Sequence, residues 1–301
     1  MPIEKERVGL IGVGRMGHGI ALNVLKHGYS LAFLDHPGNQ PADDLVKARA
    51  RRLSTIADVC AEADVIILCV TGSPQVEAVV LGAGGVLTHL RAGMTIIDCS
   101  TALPSSTEKV AKEIVKAGVG FCDAAMTRTP KEAALGRLNL LCGGDRAVFE
   151  RCRLLLESFA ENITYVGPTG SGHRVKLIHN FVSLGFSTVL AEAVACADRS
   201  GIDRKTILDV LATGGGRGVV LDRFAPFMES GDDSSFEFSI SNAAKDISYY
   251  TTMAEQTQAF CKVATEIRDT LAMGTKLAPL ANIPDLINVL NHCDAGAYIT
   301  G

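Results

Sequence analysis

The sequence predicts a chain in two parts: an α/β domain with a doubly wound, mostly parallel sheet, then an all-α domain. Three observations carry this. Short apolar runs alternate with helical patterns from residue 7 to residue 142, and strand signals then stop near Gly167-Pro168-Thr169-Gly170. At 301 residues the chain is also longer than one core usually spans. Strands alternating with helices mean βαβ units, and uninterrupted apolar strands fit a sheet covered on both faces. The expected division is 1–166 for the α/β domain and 167–301 for the helical one.

Residues 7–11 read as a short buried strand, with Gly12, Gly14 and Gly17 directly after it. A helical pattern runs over residues 15–26, and Gly28 closes it. Residues 30–34 form a second apolar strand that ends at Asp35. Next come a helix over 57–63, a strand over 65–70, a strand over 95–99 and a helix over 107–117. Strands over 119–122 and 137–142 complete the α/β part. Beyond residue 167, helical patterns cover 173–199, 202–212, 219–228, 242–256 and 259–273.

Composition narrows the function classes. Hydrophobic residues make up 47% and charged residues 21%, with a net charge of −4, so nothing favours a nucleic-acid or anionic-membrane partner. The nine cysteines form no CxxC pair and most lie in apolar runs such as Ile66-Ile67-Leu68-Cys69-Val70. They read as small buried thiols in a reducing compartment, not as zinc ligands, and no metal site is expected. Residues 1–7 mix acids and bases instead of forming a secretory leader. No apolar run is expected to reach the roughly 18 residues of a membrane span. The expected location is the cytoplasm.

Gly12-Val13-Gly14-Arg15-Met16-Gly17 is a GxGxxG. The pattern is short, and its context gives it meaning: it leaves a strand, opens a helix, and precedes an acid about twenty residues on. Gly12 permits a tight turn, Gly14 lets the backbone approach a pyrophosphate, and Gly17 lets helix and strand pack closely. The helix N-terminus offers N–H groups and partial positive charge to phosphate. This is the Rossmann pattern, with Asp35 placed to take the adenosine ribose hydroxyls. A carboxylate there repels a 2′-phosphate, so NAD is preferred, with NADP still possible. Two other readings stay open: a glycine-rich turn in an unrelated α/β fold, and a flavin site, although flavin enzymes usually carry further cofactor segments.

Residues 175–184 are apolar nearly all round, as in a buried helix. Yet Lys176, Asn180 and Ser183 share one face at i, i+4 and i+7, with His179 beside them and Ser187 continuing the stripe. A lysine on such a helix needs a purpose or a partner. It either snorkels or pairs structurally, or it serves a site near the domain junction. Asp98-Cys99-Ser100-Thr101 ends a strand at its carboxyl edge, where doubly wound sheets bind ligands. Ser100 and Thr101 either hold a substrate carboxylate or nicotinamide amide, or form a plain ST-turn. Arg128, in Thr127-Arg128-Thr129-Pro130, either grips an anion bidentately or is solvated. Lys245-Asp246 reads by itself as a surface pair.

Together and in this order, these stretches resemble the β-hydroxyacid dehydrogenase family. The matching segments are residues 12–17 with Ala21 and Asn23, Asp98-Cys99-Ser100-Thr101, residues 123–144, residues 172–180, and Lys245-Asp246. The resemblance covers nearly the whole chain. It implies hydride transfer between NAD(H) and a small 3-hydroxy acid or its semialdehyde, with Lys176 as general acid–base. It further implies Ser100 and Asn180 as substrate contacts, Thr101 at the nicotinamide, Val70 and Thr71 near the cofactor ribose, Arg15 and Met16 within the cofactor loop, and Lys245 closing over the cofactor. Two departures stand out. Thr127-Arg128-Thr129 replaces a common Ser-Gly-Gly, and His179-Asn180 replaces Asn-Asn. The arginine loop, together with Ser183, resembles the sulfolactaldehyde reductase branch, which points to a small, strongly anionic substrate. Imine reductases and non-catalytic NAD-binding relatives of the fold tend to lose the lysine, so Lys176 argues against both. The long apolar helix suggests a homodimer or homotetramer.

Overall fold

The computed structural model describes residues 5–293. The chain divides into two compact units, residues 1–176 and 177–301.

The first unit holds one eight-stranded sheet. Its strands are β1 (Val8–Ile11), β2 (Leu31–Leu34), β3 (Arg51–Leu53), β4 (Val65–Leu68), β5 (Thr95–Asp98), β6 (Gly120–Thr127), β7 (Leu138–Gly144) and β8 (Ala160–Gly167). The spatial order is β3-β2-β1-β4-β5-β6-β7-β8. Pairings are parallel through β6, antiparallel between β6 and β7, and parallel again between β7 and β8. The doubly wound, mostly parallel sheet expected from the sequence is therefore present. Its helices are α1 (Arg15–Lys26), α2 (Asp43–Lys47), α3 (Ile56–Glu62), α4 (Ser73–Leu81), α5 (Pro104–Lys116), α6 (Pro130–Ala134) and α7 (Arg146–Leu156).

The apolar strands alternate between two cores. Val65 and Ile67 of β4 face one cluster with Ile20, Val24 and Phe33, while Ile66 and Leu68 face another with Val59, Val80, Val110 and Ile114. Each fully buried side chain of this size contributes roughly 1.5–3 kcal/mol. This explains why the strands read as unbroken apolar runs: both faces are covered.

Sequence patterning misses β3 and β8. β3 is three residues long and opens with exposed Arg51 and Arg52, and β8 carries exposed Glu161 and Asn162. Both strands lie at the edges of the sheet, where one flank and much of the side-chain surface meet solvent.

The second unit is helical. α8 (Ser171–Arg199) begins in the first unit and continues into the second. It is followed by α9 (Arg204–Thr213), α10 (Val219–Ser230), α11 (Ile240–Gln256), α12 (Lys262–Leu277) and α13 (Leu286–His292). The core joins Leu184, Val194, Leu221, Phe224, Ile247 and Leu271. α13 is the one helix here without a sequence-based expectation; it is seven residues long, too short for periodicity to register.

Two expectations need correction. α8 does contain an 18-residue stretch apolar enough, by length and composition, to cross a membrane. More than half of that stretch is buried inside the protein, as in the core helix of a globular fold. The cysteines are all free, but Cys196 is exposed rather than buried. It lies on a face of α8 that the unit's own core does not cover.

Candidate functional site

The glycine loop sits where the strand order reverses. β1 lies between β2 and β4, so the loops leaving β1 and β4 diverge and open a crevice at their carboxyl ends. Gly12 has φ of +102°, in the left-handed region, and a Cβ there would overlap the Cys69 carbonyl. A Cβ on Gly17 would overlap the Gly12 carbonyl oxygen. Both positions therefore exclude any side chain. Gly14 differs: a Cβ there would meet nothing within 4 Å. Gly14 also caps α1 without a side-chain bond, and no acid occupies the first turn. The leading N–H groups of α1 thus face open space with helix-dipole charge behind them, a cradle that fits a pyrophosphate. Arg15 is exposed and Met16 half-buried at this mouth, and Asp35 is exposed at the end of β2.

A second turn braces the loop. The Val13 amide donates to Asn39 Oδ1 at 3.2 Å, the Asn39 amide nitrogen donates to the Leu34 carbonyl at 2.9 Å, and the Gln40 amide donates to the Val13 carbonyl at 2.7 Å. Sequence reasoning missed Asn39, because a side-chain bond reaching across 26 positions leaves no periodic trace.

The ends of β4 and β5 meet at Ser100. Its hydroxyl accepts from the Val70 amide at 3.1 Å, and its own amide donates to Asp98 Oδ1 at 2.9 Å. The Ser100 side chain also hydrogen-bonds the Asp98 carboxyl and, with the Ser100 amide, favours its charged form. Thr101 is half-buried and Thr71 exposed beside it. Burial pushes the Asp98 carboxyl up; Asp123 adds to the rise, while His173 and Ser100 oppose it. Burial, reinforced by Asp98, pushes the Cys69 thiol up to about 12, so it is no nucleophile at neutral pH.

α8 starts on a buried carboxylate. Asp123 Oδ1 accepts from the Gly170 amide at 2.8 Å and Oδ2 from the His173 amide at 3.2 Å. A strand residue thus caps the helix from outside its own sequence. The His173 ring reaches the Ser100 carbonyl and Thr107. Lys176 follows on the next turn and is buried, at 8% exposure.

In the helical unit, Asn180 is buried and donates to Asp246 Oδ2 at 2.6 Å, while its amide oxygen lies 3.0 Å from His179 Nδ1. Lys245 Nζ lies 3.1 Å from Asp246 Oδ1. Asp246 is buried, so Lys245-Asp246 is not the surface pair that spacing alone suggested. Ser183 is half-buried further along α8.

Arg128 has φ of +80°, unusual for a side chain of its size. Its guanidinium pairs with Glu161 and donates to the Arg137 carbonyl. The pair holds the Glu161 carboxyl below the usual carboxylate range. The cation expected at the substrate therefore already has a carboxylate of the protein on it.

The profile of the NAD binding domain of 6-phosphogluconate dehydrogenase matches residues 7–167, and that of the NAD-binding domain of NADP-dependent 3-hydroxyisobutyrate dehydrogenase matches residues 170–279. The chain is 32% identical over 227 residues to 2-(hydroxymethyl)glutarate dehydrogenase of Eubacterium barkeri, covering 75% of each chain. It is 31% identical over 222 residues to the NAD-dependent L-serine dehydrogenase of Pseudomonas aeruginosa, covering 74% of each. The fold is that of the Mycobacterium tuberculosis 3-hydroxyisobutyrate dehydrogenase solved with L-serine, with a TM-score of 0.84, 22% identity, and coverage of 95% of this chain and 99% of that one.

Proposed function

The chain belongs to the β-hydroxyacid dehydrogenase family and is an NAD(P)-dependent oxidoreductase; on that premise we propose that it interconverts a small 3-hydroxy acid and its semialdehyde, with Lys176 moving the proton. The observation that carries this reading is the buried Lys176 on the second turn of α8, a helix whose start is tied to β6 through Asp123 and to the Ser100 loop through His173.

The N–H cradle at the start of α1 would hold the dinucleotide, which would supply the hydride acceptor or donor. The chain's own residues do the rest. In oxidation, neutral Lys176 Nζ takes the proton from the substrate hydroxyl as the carbonyl forms; in reduction, the ammonium returns it to the carbonyl oxygen. The Ser100 hydroxyl turns from the Asp98 carboxyl to donate to the substrate carboxylate. Asn180 already uses one N–H on Asp246, so its second N–H is the one available to substrate. Thr101, Val70 and Thr71 would border the cofactor at the ends of β4 and β5, and Lys245 keeps the cofactor role that the family resemblance implies for it. Asp35 supports NAD over NADP: an exposed carboxylate suits ribose hydroxyls and repels a 2′-phosphate. The relatives' names include both cofactors, so kcat/KM measured with each decides; a higher value with NADP would overturn the preference. Exposed apolar side chains on the helical unit support a homo-oligomer, and nine free thiols suit a reducing cytoplasm.

The decisive experiment is Lys176→Ala. We expect kcat to fall by about 10²–10⁴, the usual share of a general acid–base, with NADH binding, read by fluorescence, unchanged. Near-normal turnover in that variant removes Lys176 from the chemistry.

A further inference from the structure

A fully buried polar cluster lies between the end of β5, the middle of β6 and the first turn of α8. Asp98, Asp123 and His173 have no exposed surface, and Thr107 has almost none. Asp98 and Asp123 are register partners on neighbouring strands. Two carboxylates side by side in an apolar interior are costly unless each is compensated. Asp123 is compensated by the two amides at the N-terminus of α8. Asp98 Oδ1 has the Ser100 amide, while Asp98 Oδ2 has no hydrogen-bond partner among the described residues, and the nearby His173 ring eases the Asp98 charge.

The His173 ring makes two contacts. Nε2 lies 3.0 Å from the Ser100 carbonyl oxygen, which can only accept, so Nε2 carries a proton. Nδ1 lies 2.7 Å from Thr107 Oγ1 on α5. The ring therefore pins the third residue of α8 to the loop after β5 and to α5 together. The Ser100 it grips is fixed at three atoms: amide to Asp98, hydroxyl to Val70, and carbonyl to His173. Lys176 stands three residues beyond His173, on the same side of the helix one turn later. Sliding or rotating α8 would move Lys176 relative to Ser100, and it would also break the His173–Ser100 bond.

We propose that His173 is a positioning residue: its Nε2–H bond to the Ser100 carbonyl, backed by Thr107, sets where α8 holds Lys176 relative to the substrate-binding loop. The inference rests on the reading of Lys176 as the proton-transfer group. His173 itself touches no reacting atom.

The test compares His173→Leu with His173→Gln, because the glutamine amide nitrogen can reach the place of Nε2 and donate to the same carbonyl. For His173→Leu we expect kcat to fall about 10- to 100-fold, the scale of an ångström-level misplacement. NADH affinity should stay within about twofold, KM should change less than kcat, and amide exchange across residues 171–177 should quicken. His173→Gln should restore kcat to within about threefold of wild type and slow the exchange again. A folded His173→Leu with wild-type kcat and exchange overturns the proposal, as does a His173→Gln as impaired as the leucine variant. If His173→Leu fails to fold, Thr107→Val decides. It keeps the side-chain shape and removes the backing hydroxyl. A several-fold fall in kcat with faster exchange supports the proposal, and no change in either overturns it. Wild-type protein that turns over no small hydroxy acid would instead sink the dehydrogenase reading, and the exchange measurements would still decide whether His173 holds α8.

Discussion

The two units manage their apolar side chains differently. In the α/β unit the exposed large hydrophobics are scattered: Val46, Val115, Leu135 and Leu154. Among the described residues the helical unit exposes ten, including Ile178, Val182 and Val189 on α8, with Phe260 and Leu280 more than 80% exposed. A sheet with helices on both faces buries nearly every apolar residue it carries. A set of helices around α8 covers only part of a helix that is apolar nearly all round. The polar chemistry differs as well. In the α/β unit the N–H groups of α1 and the strand-end hydroxyls of Ser100 and Thr101 stand beside buried side chains, Asp98, Asp123, His173 and Lys176. In the helical unit the polar chemistry rests on side chains sunk into the core, Asn180 and Asp246. Backbone sites depend on what must be absent from a position, and side-chain sites depend on what is present there.

Four experiments test this contrast. The largest effect should come from Gly17→Val, whose side chain has no room beside the Gly12 carbonyl. NADH affinity should drop at least about 100-fold, a scale set by losing several phosphate-directed backbone bonds. Retained affinity would mean the cradle is not the cofactor site. Next is Val182→Asp combined with Val189→Asp. If the exposed face of α8 joins subunits, light scattering should show a smaller species than wild type, because a buried unpaired charge opposes association. A wild-type protein already monomeric at micromolar concentration would remove the oligomer reading.

A smaller change is expected from Arg128→Ala. Its cation is shared with Glu161, so we expect KM for an anionic substrate to rise only about threefold, well under the about tenfold that 1.4 kcal/mol of lost binding gives. An unchanged KM confines Arg128 to bracing Glu161, and the strongly anionic substrate class then goes with it. The smallest effect concerns Asp64, held down to about 2 chiefly by its hydrogen bonds to Arg7, with Arg91 adding to this. A depressed carboxyl contributes stability above its unfolded value near 3.9, and that stability fades as pH falls toward 2. Asp64→Asn should lower Tm at pH 7 by about 2 °C or less, since the pair is partly exposed. The difference should close near pH 2.5; a gap that widens on acidification would contradict the pairing.

Much of the fold was legible because its signals are local. The helix over residues 15–26 matches α1 to the residue, and the strands over 65–70 and 95–99 contain β4 and β5. β6 runs five residues past its expected end at Cys122, because Asp123 interrupts the apolar run with a carboxylate whose amide partners lie some fifty residues on. The candidate site was legible in part: the glycine loop, Ser100 and Lys176 announce themselves by spacing or by being out of place. Asn39, Asp123, Thr107 and His173 do not, since each acts through a bond to a distant segment.

By itself, the sequence determined where chemistry needs a bare backbone and where a polar group interrupts an apolar surface. Steric exclusion at Gly12 and Gly17, and the cost of burying an amine at Lys176, are properties of a residue and its near neighbours. The tertiary structure alone decided which distant groups meet each charged side chain: the Gly170 and His173 amides on Asp123, Asn180 on Asp246, Glu161 on Arg128. Electrostatic compensation depends on distance in space, and separation along the chain does not encode it.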